Sequence, residues 1–299
     1  MLAVPVIKGK KSPSERFAGA EDTYTIEALM QNGWALQSGT SHFLGQNFAK
    51  AFDVLYQSET GDRIYVWATS WGVSTRLIGA MVMTHSDDKG LVLPPPVAPV
   101  QVVIVPITKG SGPEHDNIIA KTNEIALGLR ERKIRVKVDD RKNTRPGAKY
   151  FEWERKGVPL RIELGARDLA SNNAQFAFRH TGIKTSKSLD PQNFYEEVES
   201  ALKEIHNEMF SAASDRLRKK TFRVSSYADM KSMIEEGGEN AGFYLVPWKC
   251  NAENEAFIKE DCKATIRCYP LEWNFAPPNE KCFFSGQDAT HMAIFARAF

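Results

Sequence analysis

Two stretches of this chain gather side chains able to bind and polarise a ligand. In the first, Gln37-Ser38-Gly39-Thr40-Ser41-His42 puts an amide, a hydroxyl and an imidazole into one short run. An amide and a hydroxyl can read a nucleotide through hydrogen bonds. An imidazole can hydrogen-bond beside a bound carboxylate without changing charge over much of the physiological range. Further on, Ser74-Thr75-Arg76 precedes the apolar run 77–83. A flat guanidinium there can stack on a purine and balance phosphate charge. In the second stretch Glu154, Arg161 and Arg167 stand among alternating charged and apolar residues. A carboxylate accepts hydrogen bonds and a guanidinium donates them, so together they could hold a polar ligand. Each feature alone has a plainer reading. A lone histidine in a turn is more often a satisfied surface or core group, and alternating charges often mark a solvated strand edge.

The elements that must hold these residues follow from periodicity and punctuation. Ser12-Pro13-Ser14-Glu15 reads as a helix start. Residues 39–50 read as a turn leading into a strand, and 64–69 as a further strand. Pro94-Pro95-Pro96 and Pro99 mark a linker, because successive prolines cannot enter a helix or a central strand. A strand at 102–105 precedes a helix with Ile118, Ile119, Thr122, Ile125, Ala126 and Leu129 on one face, and 134–138 returns as a strand. That βαβ unit implies a parallel pair with a right-handed crossover. Strands follow at 159–164 and 176–179. Asp190-Pro191 then opens a long helix, with Phe194, Val198, Leu202, Ile205 and Met209 at helical spacing, running to about residue 219. Strands at 243–248, 264–269 and 282–284 surround a helix near 253–261. The fold class is α/β (α+β), and the chain divides into segments 1–97, 98–205 and 206–299.

A chain of 299 residues can hold two or three cores. Its formal charge of +2 does not announce a nucleic-acid binder, although a local basic surface remains compatible with it. Four cysteines imply no disulfide framework and fit a reducing, cytoplasmic setting. The first residues lack the pattern of a signal peptide. No apolar run approaches the roughly 20 residues of a membrane span.

The string from Trp71-Gly72-Val73-Ser74-Thr75-Arg76, through His85-Ser86-Asp87-Asp88-Lys89-Gly90, to Pro94-Pro95 closely resembles the third signature motif of prolyl-tRNA synthetases of the eukaryotic and archaeal type. These are class II aminoacyl-tRNA synthetases. The run from Gln37 to Phe48 resembles the family's loop between its second and third motifs. The resemblance implies ATP contacts from Gln37, Thr40, Ser74 and Arg76. It implies a proline pocket of Phe17, His42, Trp71, Gly72 and Ser74, with His42 and Arg76 nearest the chemistry. Phe17 and Trp71 would serve equally well as plain core aromatics. Asp87 and Asp88 could hold a helix end or a metal, and two adjacent carboxylates in a turn favour structure. Arg145-Pro146-Gly147-Ala148-Lys149-Tyr150 and the run 153–169 resemble the family's anticodon-binding domain. There Glu154, Arg161 and Arg167 would read the two guanines of a proline anticodon. Most relatives carry lysine at the last of these positions.

By this resemblance the chain holds a partial class II antiparallel-sheet core, an α/β anticodon-binding domain with a mixed sheet, and a small C-terminal α/β domain. The implied activity is ligation of proline to its tRNA. L-proline is activated with ATP and Mg²⁺ to prolyl-adenylate and passed to tRNA(Pro), by an enzyme that is a homodimer. A non-catalytic tRNA-binding or regulatory relative is the alternative, but such a module has no need of the ATP contacts. Residues 2–9 match a point just after the second motif, so motifs 1 and 2 lie outside these residues. The chain by itself is therefore expected not to form prolyl-adenylate at a useful rate. Many relatives bind zinc through four cysteines near the C-terminus. Here Cys250 and Cys282 fall at two of those places, with Glu255 and Phe284 at the others, so no zinc is expected. Relatives often end in tyrosine, whereas this chain ends in Phe299.

Overall fold

The fold is that of a computed structural model, which describes residues 1–108, 110–273 and 279–299. In chain order it begins with β1 (Ile7–Lys10), β2 (Asp22–Leu29), β3 (Ala35–Gly45) and the short helix α1 (Asn47–Ala51). A hairpin of β4 (Leu55–Gln57) and β5 (Arg63–Tyr65) leads to β6 (Ala68–Gly72) and α2 (Arg76–His85). Then come β7 (Val102–Ile107), α3 (Pro113–Glu131), β8 (Val136–Val138), α4 (Pro146–Arg155), β9 (Leu160–Gly165), α5 (Ala166–Ala170), β10 (Asn173–Phe178), β11 (Lys184–Ser188) and α6 (Phe194–Lys219). The chain closes with β12 (Thr221–Arg223), α7 (Tyr227–Glu236), β13 (Phe243–Trp248), α8 (Ala252–Cys262), β14 (Thr265–Pro270) and β15 (His291–Ala296). Two of these helices carry side-chain caps: Ser226 accepts from Asp229 N, and Asn251 from Asn254 N.

The contacts group the chain into two compact units. One comprises Val4–Ala80 and Ser214–Phe299, the other Met1–Ala3 and Met81–Ala213. The first unit is built on an eight-stranded sheet in the order β12-β13-β15-β14-β1-β2-β3-β6. β1 pairs antiparallel with β2 on one side and β14 on the other, so early and late strands share one sheet. Local pattern cannot show this, because the pairing joins residues far apart in the chain. Three local assignments also change. Residues 39–45 are the second half of β3, and the helix α1 follows where a strand was expected. Residues 64–69 divide between β5 and β6. Residues 282–284 form a turn, closed by Gly286 N donating to Cys282 O at 3.0 Å. Their apolar character comes from packing Cys282 and Phe283 under Trp248 and Phe295, and the strand lies at β15.

The second unit carries a five-stranded mixed sheet, β11-β10-β9-β7-β8, with β8, β7 and β9 parallel and β10 and β11 antiparallel. One face packs Ile104, Leu160, Ile162, Leu164 and Phe176 against Ile125 and Leu129 of α3 and Phe194, Val198 and Ile205 of α6. The helical spacing of α3 and α6 accounts for this contact. On the other face Val103 and Val105 meet Tyr150 and Trp153 of α4.

Asp139 anchors α4. Its carboxylate accepts from Trp153 Nε1 at 2.8 Å and from Arg141 Nε and Nη2 at 2.8 and 2.7 Å, while Lys149 Nζ donates to its carbonyl at 2.8 Å. Burial alone would raise its pKa. The hydrogen bonds from Arg141 and Trp153 and the Lys149 charge overrule that and hold it at about 2. A depressed carboxyl stabilises the fold above its unfolded pKa and loses that contribution as pH falls through its folded pKa. Asp139 is therefore expected to contribute on the order of 2 kcal/mol near neutral pH, lost between about pH 4 and pH 2. Urea unfolding of wild type and Asp139→Asn across that range checks it. Parallel pH profiles would contradict it.

Candidate functional site

The first cluster sits on β2, β3 and β6. The register pairs His42 with Thr23 and Ser70, and Thr40 with Thr25 and Gly72. Side chains alternate along a strand, so Thr40 and His42 share one face with Thr23 and Thr25. His42 Nδ1 lies 3.0 Å from Thr23 Oγ1, which accepts from Phe17 N at 3.3 Å. The Thr23 hydroxyl thus ties the imidazole to the backbone of Phe17. The Phe17 ring stands 4.7 Å from the imidazole and 6.3 Å from Phe48. A shift of register between Ile26 and Glu27 sets Gln37 opposite Glu27. Arg76, at the first turn of α2, donates from Nη1 to Gln37 O at 3.5 Å and from its backbone N to Ser74 Oγ at 3.3 Å. Gln37, Ser74 and Arg76 thus come together, as do Phe17, Thr40, His42 and Gly72.

Trp71 does not join them. It pairs with Ser41, so its ring belongs to the opposite face. There it lines an open apolar cavity of about 410 Å³ with Tyr24, Ile26, Val73 and Leu271. Neighbouring residues of one strand cannot both wall one pocket with their side chains, and only the register shows which of Trp71 and Gly72 faces His42.

Below this site lies a charge cluster that the sequence did not reveal. Glu27 is fully buried and accepts from Lys11 Nζ at 3.1 Å, Thr25 Oγ1 at 2.8 Å, and Arg267 Nε and Nη2 at 3.0 and 2.8 Å. Thr25 Oγ1 also lies 3.3 Å from Gly39 O, which ties the cluster to β3 beside Thr40.

The Ser285 side chain is a polar neighbour of Cys282. Burial would raise the Cys282 thiol, but hydrogen bonds from Ser285 and from backbone groups of Lys249 and Phe284 bring it below the ordinary value. Glu255 accepts from Ser12 Oγ at 3.1 Å, and burial pushes its carboxyl up. A serine and a carboxyl biased toward its neutral form are poor zinc partners. Chelator-free purification followed by elemental analysis is expected to find well under one zinc per chain. About one zinc per chain would overturn this.

The second cluster lies on the face of the five-stranded sheet that α4 packs against. Cross-strand pairing sets Val103, Arg161, Ala177 and Lys184 in one row, and Val105, Glu163, Gln175 and Ser186 in the next. Arg161, only 6% exposed, donates from Nε to Glu163 Oε1 and from Nη1 to Glu154 Oε1, both at 2.9 Å. Lys184 Nζ donates to both Glu163 oxygens at 2.7 and 2.9 Å. Arg161 and Lys184 both lie over the Tyr150 ring, 4.2 and 5.0 Å from its centroid. Burial and the Glu163 charge push the Tyr150 hydroxyl well above its usual range. A polar cavity of about 190 Å³ opens here, with Glu154, Arg161, Ala177 and Lys184 in its lining. Arg179 closes one end. It donates to both Asp87 oxygens at 2.9 and 2.6 Å and to Glu154 O at 2.9 Å. The Arg179 hydrogen bond holds Asp87 below its ordinary pKa. Arg167 is exposed on α5 and stands apart from this cavity. At about 3.3 Å per residue along a strand, it lies up to about 20 Å from Arg161. Tyr150, Glu163 and Lys184 were not singled out in the sequence. For Glu163 and Lys184 the signal available was the period-2 alternation of β9 and β11.

Residues 101–201 match the family described as anticodon binding domain, and 227–299 match prolyl-tRNA synthetase, C-terminal. Over its whole length the chain is similar to curated proteins named proline–tRNA ligase. It is 50% identical over 298 residues to one from Porphyromonas gingivalis, 50% over 301 residues to one from Bacteroides fragilis, and 48% over 298 residues to one from Cytophaga hutchinsonii. In each case the alignment covers 100% of this chain and 59% of the relative. Among the described residues, no helix is long and apolar enough to cross a membrane.

Proposed function

This chain belongs to the prolyl-tRNA synthetase family, matching its C-terminal portion, and we propose that it binds tRNA(Pro) by its anticodon and supplies part of the site that activates L-proline with ATP. The observation that carries the proposal is the Glu154–Arg161 pair. It sets a carboxylate acceptor beside a guanidinium donor in a polar cavity, within the stretch that matches an anticodon-binding domain. Guanine presents donors at N1 and N2 and acceptors at O6 and N7, so this pairing suits it. Arg167, displaced along the sheet, would serve a different nucleotide of the loop.

In the first unit Gln37, Thr40, Ser74 and Arg76 would hold the nucleotide. Arg76 stacks on the adenine and offsets phosphate charge. Phe17 gives the pyrrolidine ring an apolar wall, and His42 orients the prolyl carboxylate for attack on the α-phosphate. Trp71 is left out of this arrangement by its register. Mg²⁺ would enter with ATP and neutralise phosphate charge. Among the described residues no three His, Cys, Asp or Glu side chains gather to hold it, which fits an ion bound mainly through the nucleotide.

The test is direct binding of the purified chain to tRNA(Pro) and to the same tRNA with its anticodon guanines replaced by adenine. Tighter binding of the unaltered tRNA is expected. Equal affinity for the two would refute anticodon reading.

A further inference from the structure

A second cavity, of about 300 Å³, lies beside the edge strand β11 on the sheet face that α6 covers. Side chains alternate along β11, so Thr185 and Lys187 turn toward α6 while Lys184 belongs to the α4 face. From α6 come Glu197, Ala201, Glu204, Ile205 and Glu208, spaced for one side of a helix. Phe178 and Ile183 complete an apolar wall with Ala201 and Ile205. The polar groups are mostly acceptors. Apart from His180, the charged lining is Glu197, Glu204 and Glu208 against Lys187 alone. The His180 side chain is 10% exposed. Its Nε2 lies 2.5 Å from Glu208 Oε2, and its Nδ1 is buried with no hydrogen-bond partner among the described residues. A carboxylate only accepts, so the neutral ring carries its proton on Nε2 and Nδ1 is left as an acceptor. Thr185 Oγ1 is buried and equally unpartnered, and Glu197 Oε2 lies 3.3 Å from Lys187 Nζ without a hydrogen bond. Glu204 is exposed and makes no ion pair among the described residues.

We infer that this cavity binds a linear aliphatic polyamine, with its ammonium groups on Glu204, Glu208 and Glu197 and its methylene chain along Phe178 and Ile205. An ammonium has only donors to offer, which matches a lining of acceptors. At about 1.5 Å per residue, Glu204 and Glu208 stand roughly 6 Å apart along α6, and Glu197 and Glu204 roughly 10 Å. A chain of methylenes with an ammonium at each end and one within spans such distances. Its apolar body packs on the wall as the stem of a lysine does, which a hydrated metal ion cannot do. Among the described residues no three carboxylate, imidazole or thiol groups gather around one point, so a compact cation lacks a cage here. Lys187 already stands beside Glu197, which leaves Glu204 and Glu208 as the main anchors. The site is separate from the anticodon-binding role proposed above, because it lies on the opposite face of the sheet.

The probe is spermidine, titrated by calorimetry into the purified chain without RNA, at about 0.15 M salt so that long-range attraction is largely screened. Saturable binding of one spermidine per chain is expected. Butylamine brings the same apolar chain with a single ammonium, and is expected to bind at least about ten-fold more weakly for want of a second charge-assisted hydrogen bond. Glu204→Gln removes a carboxylate at an exposed position, so folding is not at stake, and is expected to weaken spermidine on the order of ten-fold. Glu196→Gln removes the same charge from α6 outside the cavity, and is expected to leave the affinity unchanged. Absence of saturable binding, equal affinity for butylamine and spermidine, or equal effects of Glu204→Gln and Glu196→Gln would each overturn the site.

Discussion

Glu27→Ala is expected to destabilise the first unit by about 3–5 kcal/mol, the usual cost of leaving a buried charge without its partner. Lys11 and Arg267 are 3% and 8% exposed, and both depend on the Glu27 carboxylate. Removing it strands two cations in a dry site and frees the Thr25 hydroxyl that borders Gly39. Glu27→Gln keeps the size and one acceptor, and should cost less while still leaving excess positive charge. Urea unfolding followed by tryptophan fluorescence measures this. A loss under about 1 kcal/mol for Glu27→Ala, the scale of a surface ion pair, would show that water reaches the cluster and that the charges are not dry.

Arg161→Ala should weaken tRNA(Pro) binding by about 1–3 kcal/mol, the usual worth of a good base-edge contact. The loss should largely vanish against a tRNA whose anticodon guanines have been changed. The substitution also releases Glu154 and leaves Glu163 to Lys184 alone, so it dismantles the acceptor together with the donor. Loss of a phosphate contact behaves differently: it weakens both tRNAs alike and lowers the salt dependence. Equal loss for the two tRNAs would make Arg161 a backbone contact.

How much of this was legible in the sequence depended on distance along the chain. The long helices α3 and α6 announce themselves through apolar residues at helical spacing, and α8 falls where it was expected. The motif residues 37–42 and 74–76 could be picked out because family resemblance and chemistry agreed on them. What could not be read was pairing. Lys184 meets Glu163 across β10, and Arg267 meets Glu27 across 240 positions. Neither relation leaves a local trace. Trp71 shows the same limit from the other side. Its type suited a proline pocket, but one step of register turns its ring to the opposite face. The late strand β15 was missed because Cys282 and Phe283 offered a stronger apolar signal, which belongs to a buried turn.

The central claim is that the α4 face of the five-stranded sheet holds anticodon guanines. Nucleotide-resolved footprinting of tRNA(Pro) with the purified chain tests it most directly. Protection should appear at the anticodon guanines with wild type and fade there with Arg161→Ala, while any protection elsewhere on the tRNA persists. An anticodon loop as reactive with saturating protein as without it would contradict the account.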